Sequence, residues 1–136
     1  MANRWLFKTE PTAYSFQQLQ KDKRTVWDGV KNNLALKHLS GIKKGDWVLI
    51  YHTGDEKAVV GIAHALSAAY PDPGKKDPKL QVVEIEPHTV LPRPVTLAEM
   101  KANPKLGKFD LVRLPRLSVM PVSEEQWKII EEMAGW

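Results

Sequence analysis

The chain has 136 residues, 43% of them hydrophobic and 26% charged, a mix typical of a soluble globular protein with its own core. Lysine and arginine outnumber aspartate and glutamate by 20 to 16, and the net charge of +4 gives weak support for an anionic partner. The absence of cysteine excludes disulfides, thiolate metal sites and cysteine nucleophiles. No membrane-length apolar run or signal-peptide pattern is present, so we expect a cytoplasmic protein without membrane association.

The first third of the chain predicts one strand and two short helices. Residues 5–9 have the apolar and aromatic composition of a strand, which a Glu-Pro pair ends. Ser15 is a suitable N-cap for a helix that contains Phe16 and Leu19. After a turn at 28–29, a second helix is expected over about residues 32–39.

The middle of the chain predicts a hairpin of two buried strands. Residues 47–52 are continuously apolar, which is typical of a strand buried on both faces. A turn at 53–56 connects them to a second strand at 58–63, which residues 66–70 are expected to extend. Gly61 inside the second strand indicates a bulge or a close backbone approach, as a barrel corner requires.

The last part predicts further strands and helices around this hairpin. The expected elements are a loop at 71–78, a strand at 80–86 ended by Pro87, an extended segment at 91–95, a helix capped by Thr96, a strand at 117–122 and a helix capped by Ser123. The pattern predicts one α+β domain spanning residues 1–136. Its architecture would be a small mixed β-barrel of about five to six strands with peripheral helices.

Basic residues cluster in two loops. Five lysines and arginines against a single acid lie between positions 101 and 116, and two further lysines lie in the proline-rich loop. A segregated basic surface can follow phosphates, although a solvated charged loop has the same composition. The lysines expected to contact phosphates are Lys75, Lys76, Lys105 and Lys108.

Residues 27–32, Trp-Asp-Gly-Val-Lys-Asn, place a large aromatic ring beside a turn and a carboxamide. An aromatic face beside hydrogen-bonding groups suits a planar ligand with polar edges, such as a nucleobase. Trp27 therefore stacks on a ligand or covers the core. Asn32 reads a base edge, caps a helix, or does both.

No pattern for catalysis or metal binding is convincing. The four histidines have no ligand spacing, no serine has a nucleophile signature, and the glycines form no phosphate loop. Asp72, Glu84 and Glu86 loosely resemble the carboxylates of metal-dependent nucleases, but Glu86 stands where those enzymes have lysine. We therefore expect no enzyme activity, no cofactor and no metal.

Several motifs in chain order are similar to those of the EVE domain family. They are WLFKTEP at 5–11, WDGVKN at 27–32, GD at 45–46 with YH at 51–52, GIA at 61–63, YPDP at 70–73, PVTL at 94–97, and RLSV at 116–119 followed by PV at 121–122. The resemblance covers nearly the whole chain.

This resemblance implies a PUA-like β-barrel, similar in plan to YTH domains, which hold a methylated adenine in an aromatic cage. It also implies a reader of modified bases in DNA or RNA, notably of modified cytosines such as methylated or hydroxymethylated cytosine, and not an enzyme. The helix after the tryptophan motif departs from the family pattern. Lys31, Asn33 and Leu36 stand where relatives have arginine, an aromatic residue and arginine, so ligand choice or phosphate contact can differ.

The residues and the resemblance together give one site hypothesis. Trp27 would stack on a modified base that is single-stranded or flipped out of a duplex. Its edges and walls would be supplied by Lys8, Thr9, Asn32, Tyr51, His52, Thr53, Arg116 and Ser118. The first alternative is a small-molecule or protein-interaction module on the same barrel, whose binding would depend little on salt. A metal-dependent nuclease is the remote alternative.

Overall fold

The computed structural model describes residues 2–136. Within them the chain forms seven strands and five α-helices. They are β1 (Arg4–Thr9), α1 (Phe16–Asp22), β2 (Thr25–Trp27), α2 (Asn33–Leu39), β3 (Trp47–His52), β4 (Ala58–Ala65), β5 (Tyr70–Pro71), β6 (Gln81–Thr96), α3 (Leu97–Ala102), α4 (Asp110–Arg113), β7 (Val119–Pro121) and α5 (Glu124–Ala134). A single 3-10 turn at Pro104–Leu106 precedes α4. None of these helices is long and apolar enough to cross a membrane.

The strands form one curled mixed sheet, a half-barrel, in the order β2-β6-β4-β3-β1-β7, with the short β5 paired to β6. Strands β1 and β3 are parallel and in register from Arg4 beside Trp47 to Thr9 beside His52. The other pairs are antiparallel. Because β1 and β3 are parallel, their carboxyl ends lie side by side at one rim of the half-barrel. The predicted α+β fold with a small mixed β-barrel is confirmed.

Gly61 lies where the sheet bends over α1. A Cβ atom at this position would approach the ring of Phe16 to 2.5 Å. The pairing register shifts beside Gly61 on both sides, between Ile50 and Tyr51 in β3 and after Val59 in the pairing with β6. The predicted close approach is confirmed, and it lets the sheet close over an aromatic ring that is 1% exposed.

Two predicted strand boundaries are wrong. Strand β6 does not end at Pro87 but runs for 16 residues through three prolines. Proline is tolerated at bulges and where its missing N–H would face away from a partner strand, and the register of β4 against β6 shifts at Ala63, the partner of Pro87. Strand β4 ends at Ala65, because residues 66–69 bend away before the two-residue β5 begins.

A buried carboxylate joins β1 to the start of β3. Asp46 is 3% exposed and accepts hydrogen bonds from the Trp5 indole at 2.9 Å, the backbone N–H of Asn3 at 2.9 Å and that of Lys43 at 3.0 Å. A buried carboxylate is stable only when such donors surround it. The GD pair of the sequence is therefore a brace that fixes the two parallel strands in register.

The predicted helix caps are confirmed. Ser15 accepts from the N–H of Gln18, and Thr96 and Ser123 each open a reciprocal capping box. The core contains Trp5 and Trp127, at 8% and 5% exposure. The basic loop after α3 is not a loop throughout, since it contains the 3-10 turn and α4, which the sequence did not predict.

Candidate functional site

A cavity of about 570 Å³ opens at the rim where β1 ends, next to β2 and the turn that follows it. We call it the Trp27 cavity. Its lining residues are Lys8, Thr9, Glu10, Ala13, Tyr14, Thr25, Val26, Trp27, Asp28, Gly29, Val30, Lys31 and Ser118. Four of the predicted site residues are therefore brought together from three distant segments: Lys8 and Thr9, Trp27, and Ser118.

Trp27 ends β2, where it pairs with Val83 of β6. Its ring centroid lies 5.2 Å from that of Phe7 in the core and 6.1 Å from that of Tyr14, which meets it edge-on. The side chain is 8% exposed overall, and it lines the cavity. Trp27 thus covers the core and contributes an aromatic wall to the cavity, so the two interpretations of this residue are compatible.

Tyr14 forms a second aromatic wall that the sequence did not single out. Its backbone carbonyl accepts from the Thr9 hydroxyl at 2.6 Å, and its own hydroxyl donates to Asp22 at 2.8 Å. Burial raises the pKa of Tyr14, and the neighbouring carboxylate of Asp22 adds to this, against a hydrogen bond from Thr25. The usable signal was an aromatic residue placed just before the N-cap of α1.

The turn after β2 completes the rim of the Trp27 cavity. Gly29 has a φ of +77° and open space around its α-carbon, so the turn needs glycine for its backbone conformation. Asp28 and Lys31 are exposed, whereas Val30 is buried. The charges lining this cavity balance, with Lys8 and Lys31 against Glu10 and Asp28.

Lys8 separates this cavity from a second one. Its backbone N–H donates to the carbonyl of Ser118 at 2.9 Å, and its Nζ donates to the carbonyl of Pro115 at 2.8 Å. The ammonium also lies 5.8 Å from the centre of the Tyr51 ring. Burial lowers the pKa of Lys8, because a desolvated ammonium favours losing its proton.

The second cavity, which we call the Tyr51 cavity, measures about 310 Å³ and lies between the end of β3, the β3–β4 turn, α3 and α4. It contains two further predicted residues, Tyr51 and Thr53, and two lysines that the sequence did not single out, Lys57 and Lys101. The sequence signal for these lysines was weak, since one follows a hairpin turn and the other lies on a short helix.

Three predicted residues line neither cavity. Asn32 caps α2, its side-chain oxygen accepting from the N–H of Ala35 at 3.0 Å. His52 is 1% exposed; its Nε2 accepts from the N–H of Phe16 at 3.0 Å, so its Nδ1 carries the proton and donates to Glu56 at 2.7 Å. Arg116 lines a separate apolar groove, which it shares with Asn32.

Of the four lysines predicted to contact phosphates, one lines a cavity beside the Trp27 cavity and the other three are exposed outside the cavities. Lys75 lines a cavity of about 210 Å³ that shares residues 28–31 with the Trp27 cavity, and Lys76 is its exposed neighbour. Lys105 and Lys108 are exposed on the segment between α3 and α4, beyond Lys101.

Leu36 and the carboxylates of the nuclease-like pattern line neither the Trp27 cavity nor the Tyr51 cavity. Leu36, which stands where relatives carry arginine, is 9% exposed and belongs to the core of α2. Of the carboxylates that resemble a nuclease pattern, Asp72 accepts from the N–H of Gly74 as a turn, and Glu84 pairs with Arg24. No group of three or more histidine, aspartate or glutamate side chains suited to a metal ion occurs among residues 2–136.

Solved structures share this fold along its whole length. Rpa0253 from Rhodopseudomonas palustris superposes with a TM-score of 0.93 at 38% identity, covering 98% of this chain and 94% of that one. Human THYN1 in complex with 5-methylcytosine-containing DNA superposes with a TM-score of 0.90 at 25% identity, covering 99% of both chains. An ASCH protein from Zymomonas mobilis, at 10% identity and a TM-score of 0.60, covers 96% of this chain and 94% of its own and shares the fold alone.

Sequence comparison also finds relatives that align with almost the whole chain. Human thymocyte nuclear protein 1 is 26% identical over 164 aligned residues, which cover 96% of this chain and 73% of the relative. The PUA-like half-barrel implied by the resemblance is confirmed by these neighbours. The family model of the EVE domain matches residues 3–133, and this chain therefore belongs to the EVE domain family.

Proposed function

We propose that this chain is a non-catalytic module that binds DNA or RNA carrying a modified base, taken as a single-stranded or flipped-out nucleotide. The observation that carries the proposal is the Trp27 cavity, a charge-balanced space of about 570 Å³ with Trp27 and Tyr14 as aromatic walls. A neutral base with an added methyl or hydroxymethyl group fits such a space better than a charged ligand does.

The human relative supports the choice of ligand. Its structure was determined with DNA that contains 5-methylcytosine, so DNA with a modified cytosine is the first candidate for this chain. Thr9, Lys8 and Ser118 line the cavity, and we propose that they read the base edge. Among them the Thr9 hydroxyl already donates to Tyr14, which leaves it as an acceptor for an amino group of the base.

The other predicted site residues act outside the base cavity. Asn32 and His52 hold α2 and α1 in place through the bonds described above. Residues 75–76 and 105–108 are proposed to contact the backbone of the strand on its way into and out of the site, which adds affinity without sequence information.

The test is a binding titration with a short single strand that contains one 5-methylcytosine, and with the same strand unmodified. Trp27→Leu keeps an apolar side chain against Phe7 but removes the stacking face, whereas Trp27→Ala would leave a void costing about 3–5 kcal/mol of stability. Stacking contributes roughly 1–3 kcal/mol, so Trp27→Leu is expected to weaken binding by about tenfold or more.

Trp136→Leu is the matched control, because Trp136 is 47% exposed and lies away from the cavity. Equal affinity of Trp27→Leu and the wild-type protein for the modified strand would remove Trp27 from the site. Binding of a free nucleoside as tight as binding of the strand, with no dependence on salt, would favour a small-molecule module.

A further inference from the structure

The two cavities that meet at Lys8 differ in charge. The Trp27 cavity balances two lysines against two carboxylates, whereas the Tyr51 cavity is lined by Lys8, Lys57 and Lys101 and by no aspartate or glutamate. Uncompensated ammonium groups around a concave surface attract an anion, and low-dielectric walls strengthen that attraction. The electrostatics therefore assign a neutral group to the first cavity and an anion to the second.

Three carboxylates near the Tyr51 cavity along the chain are engaged elsewhere, and Asp55 is exposed in the β3–β4 turn. Glu56 accepts from His52, Glu99 pairs with Arg93, and Asp110 pairs with Arg113. In the part of the chain that the structure describes, none of the three lysines of the Tyr51 cavity forms an ion pair with a carboxylate. One carboxylate, that of Glu10, lies at the edge of the cavity, where it accepts from the Thr53 hydroxyl. The three lysines against this one carboxylate leave the cavity with a net positive charge.

Tyr51 adds a hydrogen-bond donor to the same cavity. The residue is 3% exposed, yet its hydroxyl makes no hydrogen bond to any described residue. It is also not among the fully enclosed polar atoms that lack a partner, so the hydroxyl reaches the open space of the cavity. Because it bonds to no described protein group, this hydroxyl is free to donate to an anion that fills the cavity.

Lys8 joins the two spaces. One of its three ammonium protons is used by the carbonyl of Pro115, which leaves two for ligands. Lys8 lines both cavities. It would therefore contact a base in the Trp27 cavity and also a group in the Tyr51 cavity that is attached to the sugar of that base. Thr53 is not a free donor, since its hydroxyl lies 3.1 Å from Glu10 and donates to that carboxylate.

We propose that the Tyr51 cavity is a phosphate site, which holds the phosphate of the same nucleotide whose base occupies the Trp27 cavity. Lys57, Lys101 and the Tyr51 hydroxyl bind its oxygens from one side, and Lys8 binds from the boundary with the base cavity. The inference rests on the proposed function, because it requires a nucleotide as the ligand. It narrows that ligand to the phosphorylated form, carried on a strand or free.

The experiment compares 5-methyl-2′-deoxycytidine with its 5′- and 3′-monophosphates by calorimetry at low salt. A tighter affinity for one of the monophosphates, by about tenfold, is the expected result, since hydrogen bonds to a charged group are each strong. In Tyr51→Phe and in Lys101→Gln this ratio is expected to fall to about threefold or less. Lys128→Gln, which removes the same charge from an exposed position on α5, is the control and should leave the ratio unchanged.

The outcomes separate the two proposals. Equal affinity for the nucleoside and both monophosphates would refute the phosphate site and leave base binding intact. If no nucleoside binds but inorganic phosphate does, and Tyr51→Phe abolishes that binding, the site is an anion site and the base-reading function is wrong. Inorganic phosphate that binds as tightly as the better monophosphate would overturn the nucleotide assignment. A ratio that falls equally in Lys128→Gln would overturn the role of the cavity lysines.

Discussion

Gly61 closes the half-barrel over Phe16 because it has no side chain. Gly61→Ala would place a Cβ atom 2.5 Å from the Phe16 ring, and no rotamer of an alanine relieves that contact. Overpacking of this kind costs about 1–3 kcal/mol, and the expected result is a lower urea midpoint. Gly107→Ala is the control, since its φ of −59° suits alanine and its nearest neighbour is 3.5 Å away. Equal midpoints for the two variants would contradict this account of the curvature.

We expect Lys8 to make the proposed nucleotide binding sensitive to alkaline pH. Its ammonium is useful to a phosphate only while protonated, so affinity is highest below its pKa and is lost as the pH rises through it. Burial lowers that pKa, so the loss begins at a lower pH than for an exposed lysine. Burial raises the pKa of Tyr51, which therefore stays a donor in this range. We expect a loss of about tenfold, one hydrogen bond to a charged group.

The measurement is affinity for the better-binding monophosphate from neutral to alkaline pH. Lys8→Arg should abolish the early loss, because guanidinium does not titrate in this range. Lys57→Arg is the comparison and should retain the early loss, since Lys57 is exposed. A wild-type affinity that stays level until exposed lysines titrate would contradict a contact between Lys8 and phosphate.

For single residues, the sequence predicted which side chains have suitable chemistry better than it predicted where those side chains point. The aromatic character of Trp27, together with the family motifs that contain Thr9 and Ser118, identified part of the Trp27 cavity. The same reasoning included His52 and Asn32, whose side chains point to the backbone of α1 and α2. Spacing along a chain gives residue type and local structure, but the side of a strand end that a ring faces is decided by packing.

Helix α3 is short, is held at its N-terminus by a capping box, and forms part of the wall of the Tyr51 cavity. The Thr96 hydroxyl accepts from the N–H of Glu99 at 3.1 Å, and the Glu99 carboxylate accepts from the N–H of Thr96. The helix carries Lys101 into the cavity wall. The position of Lys101 therefore depends on a helix of six residues, whose first turn is capped by the Thr96 hydroxyl.

Thr96→Ala is expected to lower the free energy of unfolding by about 1 kcal/mol, the usual cost of losing an N-cap. Urea denaturation measures it. Thr12→Ala is the matched control, because Thr12 is exposed and its hydroxyl has only a long contact of 3.4 Å with Glu10. An unchanged midpoint for Thr96→Ala would show that tertiary contacts hold α3 without its cap.

Whole elements were predictable where local rules decide them. The buried β3–β4 hairpin and the four capped helices follow from apolar runs and capping residues. Strand β6 did not follow, because prolines end strands on average and only the partner strand determines where a missing N–H is harmless. Helix α4 has four residues and no side-chain cap, so nothing local announced it.

At the scale of the molecule, three cavities lie in one connected series. The cavity that includes Lys75 shares residues 28–31 with the Trp27 cavity, and the Trp27 cavity shares Lys8 with the Tyr51 cavity. Lys101, in the wall of the last, is followed along the chain by Lys105 and Lys108. We propose that a strand whose base enters the Trp27 cavity contacts lysines on both sides of that base, although the net charge is only +4.

This arrangement predicts how salt affects binding of a strand long enough to leave the site at both ends. For single strands the logarithm of the affinity falls with the logarithm of salt by about 0.7 per phosphate contact. Lys75→Gln/Lys76→Gln and Lys105→Gln/Lys108→Gln are each expected to flatten the slope by about 0.7 to 1.4. Both should preserve the preference for modified over unmodified cytosine, because backbone contacts carry no sequence information. Slopes equal to the wild-type slope in both double variants would confine the strand to the two central cavities, and a lost preference would place these lysines at the base.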